Sequence, residues 1–236
     1  MGANRTQDPE APERGFRPDA LLKADLFGRV ERGHSIDGAG QPVPQVRRDI
    51  GAARWWARPL ARRLAAREAR VLRRLGDLDG LPRIARWDGR VLLRSWLDGE
   101  PMQIARPVDP AYFRDARRLL ARMRRRGACH NDLAKEPNWL VLADGRPGLV
   151  DFQLARCGGR GRWLRMLARE DVRHLLKHKR TYCPEALTAR ELALLGRPSQ
   201  PARIWRRTGK PVYLWITRGL FGWADREGAG DRGVPR

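Results

Sequence analysis

The 236 residues predict an α+β chain, and three observations carry that prediction. Apolar runs are folded back on themselves at Asp88-Gly89 and again at Asp144-Gly145, dipeptides that favour tight hairpin turns. Between and around them lie helical patterns. Leu60, Leu64, Val71 and Leu75 recur at helical spacing after Pro59, while Tyr112, Ala116, Leu119, Leu120 and Met123 do so after Asp109-Pro110.

Composition narrows the class. A hydrophobic fraction of 42% can fill a core for one large domain or two small parts. The formal charge of +22 attracts anions, but 44 Arg against 5 Lys points to coding bias as much as to a polyanion partner, so nucleic acid is not the favoured ligand. Cys129, Cys157 and Cys183 form no CxxC pair, which argues against zinc or a disulfide framework and for a reducing cytoplasm. The N-terminus lacks an apolar signal core, and no run approaches the ~20 apolar residues of a membrane span.

In chain order, residues 1–15 are rich in Pro, Gly and charge and are expected to be a disordered arm. Leu21 to Glu31 reads as strand, break at Gly28, strand. A third strand follows Gly40, with Val46, Arg48 and Ile50 on one face and Arg47 expected toward solvent. Glu68 falls inside the apolar stripe of the helix from Pro59 to Leu75, so it either faces a cation in the interior or sits at the stripe's edge. Ile84 to Asp98 reads as a hairpin with Val91 to Trp96 as its returning strand, and Asp109 caps the helix that Gly127 ends. Helix resumes by Glu170-Asp171, where Asp171 serves either a helix N-terminus or the loop before it. Thr188 to Glu191 is a capping box for a helix ending at Gly196. Beyond Pro211, Val212, Trp215, Ile216, Leu220 and Trp223 make an apolar face among basic residues, suited to packing or to peripheral contact with a membrane.

The densest chemistry lies in Gly127 to Ala155. His130, Asp132, Lys135, Asn138 and Asp151 punctuate an apolar span. Trp139 to Leu142 reads as one strand, and Leu149, Val150 and Phe152 as its return, so antiparallel pairing brings Asn138 and Asp151 to the same end. An amide oxygen and a carboxylate there can share a hard cation, with Asp132 on the preceding loop.

His130-Asn131-Asp132-Leu133, then Asn138, then Asp151-Phe152, resembles the catalytic loop and metal-binding segment of the protein-kinase-like superfamily, nearest to small bacterial kinases of the RIO and Kdo (lipopolysaccharide) type. The resemblance implies a two-lobe fold: a small antiparallel sheet with one helix over 16–97, a mainly helical lobe over 98–198, and a basic aromatic extension over 199–236. It also implies roles. Asp132 would orient and deprotonate the acceptor hydroxyl, Lys135 would neutralise charge on the transferring group, and Asn138 and Asp151 would hold Mg²⁺ or Mn²⁺. Arg48, braced by Glu68, would take the place of the phosphate-gripping lysine; Gly28 would stand for the glycine-rich loop, Trp96 and Leu97 would meet adenine, and His130 and Asp171 would support the loop. ATP is the implied donor and a protein Ser/Thr or an envelope glycolipid sugar the acceptor, in the cytoplasm or peripherally on the cytoplasmic face of the inner membrane. Two departures stand out: five residues separate Asp132 from Asn138, one more than usual, and Gln153 replaces the glycine after Phe152, which would limit the backbone flip used in regulation. A nucleotide-binding pseudokinase acting as an interaction module is the main alternative; a basic nucleic-acid-binding protein is the third.

Overall fold

A computed structural model describes residues 15–158 and 161–196. The expected arm before Gly15, the two residues 159–160 and the aromatic tail after Pro211 lie outside the described residues. The chain is α+β and divides into two compact units, one taking residues up to Ala66 with Ile84–Trp96, the other Arg67–Arg83 with Leu97 onward.

The first unit is built on an antiparallel sheet of five strands, β1 (Arg17–Asp25), β2 (Gly28–Ile36), β3 (Pro42–Asp49), β4 (Ile84–Trp87) and β5 (Val91–Ser95), in the order β1-β2-β3-β5-β4. Only Leu26 and Phe27 separate β1 from β2, whose Asp25↔Gly28 register closes the hairpin. Gly28 has φ +120°, and a Cβ there would lie 2.1 Å from the carbonyl oxygen of Asp49. Its glycine is explained by a left-handed turn and by the close approach of β3. At Asp88 the β4–β5 hairpin turns as expected, the Asp88 carboxylate accepting from the N–H groups of Arg90 and Val91.

Helix α1 (Arg58–Leu75) follows β3. Its buried face matches the expected stripe at Val71 and Leu75 but not at Leu60 and Leu64. Leu60 is 51% exposed and Leu64 only half-buried, whereas Ala61, Ala65, Glu68, Ala69, Val71, Leu72 and Leu75 are buried. Large leucines advertised one phase, but small alanines four residues apart occupy the interior. Glu68 is wholly buried, which removes the edge-of-stripe reading.

The second unit begins within that helix. After β6 (Gly99–Pro101) and the single turn α2 (Met102–Ala105), Asp109 caps α3 (Pro110–Arg125) by accepting from the Ala111 N–H at 2.7 Å. Tyr112, Ala116, Leu119, Leu120 and Met123 are buried as the periodicity predicts, joined by Phe113. Gly127, at φ +71°, turns the chain into β7 (Ala128–Cys129). Strands β8 (Trp139–Leu142) and β9 (Pro147–Leu149) form a three-stranded sheet with β6, while β7 pairs with β10 (Arg156–Cys157). The return strand is shorter than expected. It stops at Leu149, and Phe152 opens a 3₁₀ turn instead of extending the strand. Helix α4 (Arg162–Tyr182) is the unit's longest element, and α5 (Ala189–Gly196) is opened by the predicted capping box, in which Glu191 accepts from Thr188 N–H and Thr188 Oγ1 accepts from Glu191 N–H. Lys179 and Glu191, both buried, pair at 2.8 Å and tie α5 to α4.

All three cysteines are free thiols. No helix among the described residues is long and apolar enough to cross a membrane.

Candidate active site

Five side chains of the Gly127–Ala155 stretch are held around one backbone crossing. Trp139 pairs with Leu149, and one step further out the Val150 N–H donates to the Asn138 carbonyl at 3.1 Å. Asn138 and Asp151 therefore flank the same end of the β8–β9 ladder, which is the consequence of antiparallel register. Asn138 is buried, and its Nδ2 donates to the Asp132 carbonyl at 2.8 Å and to Asp132 Oδ2 at 3.2 Å. With the amide nitrogen committed to Asp132, the Asn138 Oδ1 is the atom left to accept or to bind a cation.

Asp132 is mostly enclosed, with 16% of its side chain exposed, and Lys135 Nζ lies 3.5 Å from its Oδ2. Burial raises the Asp132 carboxyl above its ordinary range; Lys135 and the Asn138 bond oppose that, and the Asp151 charge adds to it. The two carboxylates thus sense one another. Asp151 itself sits in the left-handed region at φ +62° and ψ +70°, a conformation that is costly for a non-glycine residue unless its surroundings enforce it. Its Oδ1 accepts from Gln153 Nε2 at 2.7 Å.

The loop is fixed from below by Asp171. This residue is the tenth of α4, far from the helix N-terminus, which rules out the dipole reading. Its Oδ2 accepts from the His130 N–H at 2.7 Å and its Oδ1 from the Asn131 N–H at 2.8 Å, in a wholly buried position. Burial pushes the Asp171 carboxyl up to about 7, while those two bonds pull it down. Asn131 is also left-handed, at φ +64°, so the double clamp holds the chain at a strained point just before Asp132.

His130 is fully buried against the Phe152 ring, centroids 4.6 Å apart, and its Nε2 lies 2.9 Å from the Val150 carbonyl. A carbonyl only accepts, so Nε2 carries the proton. Burial lowers the His130 pKa to about 4, and the ring is neutral at pH 7. Its work is to join the loop to the segment carrying Asp151.

The residue that lengthens the loop is absorbed by a 3₁₀ turn, Glu136–Asn138. Glu136, buried, accepts from the Tyr182 hydroxyl at 2.7 Å, and His178 Nε2 meets the Leu133 carbonyl at 2.8 Å. Trp139 Nε1 donates to that same carbonyl at 3.3 Å. Glu136, Tyr182 and His178 escaped the sequence reading because their partners are about 45 residues away and follow no local pattern. Gln153 was visible as a departure, but its bond to Asp151 was not.

The first unit's candidates are placed differently. Arg48 is half-buried on β3, facing Val30 and Leu92 across the sheet. Arg47 is not solvent-facing as expected: it pairs with Glu31 at 2.7 Å and lies over the Phe16 ring. The Trp96 N–H donates to the Pro44 carbonyl at 3.0 Å and its ring lies under Arg32, so that N–H is not on offer to adenine, which leaves the Trp96 carbonyl and the backbone of the half-buried Leu97. Gly28 packs against the Asp49 backbone.

As a donor set, Asp132, Asn138 and Asp151 offer hard oxygens, which suit Mg²⁺ or Mn²⁺ bound jointly with phosphate rather than a closed protein cage. No three His, Cys, Asp or Glu cluster as a metal site among the described residues. No protein-family model matches the chain, and no curated protein matches it significantly.

Proposed function

We propose that the chain is a kinase-like phosphotransferase, moving the γ-phosphoryl group of ATP to a hydroxyl. One observation carries this reading: an enclosed carboxylate, Asp132, is bonded to the amide of Asn138 and senses the charge of Asp151. The order of these residues on a loop and hairpin is the one that phosphoryl transfer uses, with one residue more than usual between Asp132 and Asn138. A five-stranded antiparallel sheet with a helix between its third and fourth strands, preceding this loop, supports the same reading.

Asp132 accepts the acceptor hydroxyl's proton as the new P–O bond forms and the bond to the β-phosphate oxygen breaks, releasing ADP. Burial raises its carboxyl above the ordinary range, which makes it a stronger base. Lys135, 3.5 Å from it, offers a positive charge to the transferring oxygens. A divalent cation held by Asn138 and Asp151 would neutralise phosphate charge. Arg48 would grip the phosphates, its planar fork replacing the usual ammonium. The acceptor is either a protein hydroxyl or a glycolipid sugar.

The pseudokinase reading draws on Arg48 and on the engagement of Asp151 by Gln153. Incubating the full chain with γ-labelled ATP and Mg²⁺, in the presence of cytosolic and envelope fractions, separates the readings. Metal-dependent transfer that vanishes in Asp132→Asn and Asp151→Ala is expected. Nucleotide binding with no turnover would favour the interaction module, and no nucleotide binding would remove both.

A further inference from the structure

A second site lies within the second unit, away from the catalytic loop. A cavity of about 450 Å³ is walled by α3 on one side and by the β8–β9 turn and the Asp79-Gly80 connector on the other. Arg118, Arg122 and Arg125 line it at the spacing of one helical face, and Arg146 enters from the β8–β9 turn. Gly80 makes the cavity's wall possible: it is left-handed at φ +83°, and a Cβ would lie 2.6 Å from the Pro147 carbonyl.

Charge there is unevenly compensated. Four guanidinium groups face two carboxylates, Asp79 and Asp115. Asp115 takes Arg118 at 2.8 Å, and Arg146 pairs outside the cavity with Asp144 at 2.6 Å. Neither Arg122 nor Arg125 has an ion-pair partner among the described residues, and the Arg122 Nε is buried with no acceptor. Ordinary solvated arginines keep their donors in water; a desolvated guanidinium N–H without an acceptor is uncommon in a folded chain. A phosphate group would resolve it, because its oxygens accept paired N–H bonds from a planar fork and its charge offsets the excess.

We propose that this cavity is a binding site for a phosphate- or diphosphate-bearing small anion, with Arg122 and Arg125 as its principal ligands. The site is separate from the residues of the phosphotransferase reading and does not depend on it.

Isothermal titration of the full chain with inorganic pyrophosphate tests the assignment, using paired variants that lose equal charge. Saturable 1:1 binding is expected. Arg122→Gln/Arg125→Gln should weaken it at least tenfold, while Arg162→Gln/Arg165→Gln, on the exposed start of α4, should change it less than twofold. Arg122→Lys, which keeps the charge but not the fork, should weaken it severalfold. Thermal unfolding monitors folding, and Arg125→Gln alone, at an exposed position, replaces the double variant if that one unfolds. Binding must persist in Lys135→Gln, which removes the cation proposed for the transferring phosphoryl group. Equal losses in the two double variants would mean diffuse attraction by a basic chain; loss in Lys135→Gln would place the anion at the other site; absence of saturable binding would dismiss the proposal. Each of these outcomes overturns it.

Discussion

The catalytic-loop stretch and the β1–β3 sheet both supply candidates for one reaction, yet they hold them by different means. Around Asp132, each neighbouring element is pinned through the main chain: Asp171 clamps His130 and Asn131, His130 reaches Val150, and Val150 reaches Asn138. In the sheet, Arg48 projects from a regular strand and Gly28 merely lets two strands approach. The residues of the proposed chemistry in the second unit are held in fixed geometry, whereas the proposed phosphate-gripping cation of the first unit projects from a regular strand. Substitutions should therefore fall hardest on activity or stability around the loop and more lightly in the sheet.

The largest effect expected is on turnover. Asp132→Asn removes the proposed base while keeping size and hydrogen-bonding capacity, and should lower phosphoryl transfer by roughly 10²–10⁴-fold. Nucleotide affinity should move little. A variant with undiminished transfer would break the comparison at its centre.

Asp171→Ala strands the buried His130 N–H and the part-buried Asn131 N–H and should cost about 2 kcal/mol in a denaturant or thermal unfolding measurement. Asp171→Asn keeps one acceptor and should cost less. If both variants match the wild type, the loop is held by something else.

A pH dependence of similar size follows from His130. Its native pKa near 4 lies below the ordinary 6.5, so between those values the unfolded chain binds a proton that the native chain does not. Stability contributed by the neutral ring is present above pH 6.5 and lost as pH falls toward 4, by about 3 kcal/mol for a shift of this size. Burial lowers His174 to about 4 as well, with the same sign. Asp171 acts oppositely: its native pKa near 7 exceeds the ordinary 3.8, so the native chain binds more protons across that window and gains stability on acidification. The histidine effect is therefore read in Asp171→Asn, which should lose stability toward pH 4 more steeply than the wild type. A parallel profile would contradict the assignment.

These residues show what the sequence made legible. Both hairpins, the α3 core face, the Thr188–Glu191 box and the Asn138/Asp151 register followed from local rules, because turn chemistry, caps and antiparallel pairing act over a few residues. The α1 face was legible at Val71 and Leu75 but misjudged in its first half, where apolar size drew attention to Leu60 while alanines set the buried phase. Arg47 was placed in solvent because β alternation is silent about a partner such as Glu31 on the neighbouring strand. Glu136 was illegible for a further reason. Its burial is matched by Tyr182 and His178, on a helix that local pattern cannot align with the loop.

In the sheet, Gly28→Ala should cost about 2 kcal/mol, because the new Cβ meets the Asp49 carbonyl and the backbone is left-handed. Its effect on nucleotide affinity should be no more than its effect on folding explains. A selective loss of affinity would instead return Gly28 to a phosphate-binding role.

Gln153 offers the smallest expected effect and the sharpest reading of the comparison. Its Nε2 holds Asp151 Oδ1 at 2.7 Å while Asp151 occupies a strained backbone conformation. Two roles follow from that one bond. If the amide orients the carboxylate toward a cation, Gln153→Ala should weaken the Mg²⁺ dependence of turnover by about 10-fold, the scale typical of residues that position a metal ligand. If it instead competes for the oxygen, the same variant should strengthen it. Because Gln153 bonds the side chain and the left-handed backbone leaves Asp151 with little freedom to turn elsewhere, orientation is the expected outcome. A Mg²⁺ titration of turnover, with thermal unfolding as the control for folding, distinguishes a tightened apparent affinity from a weakened one.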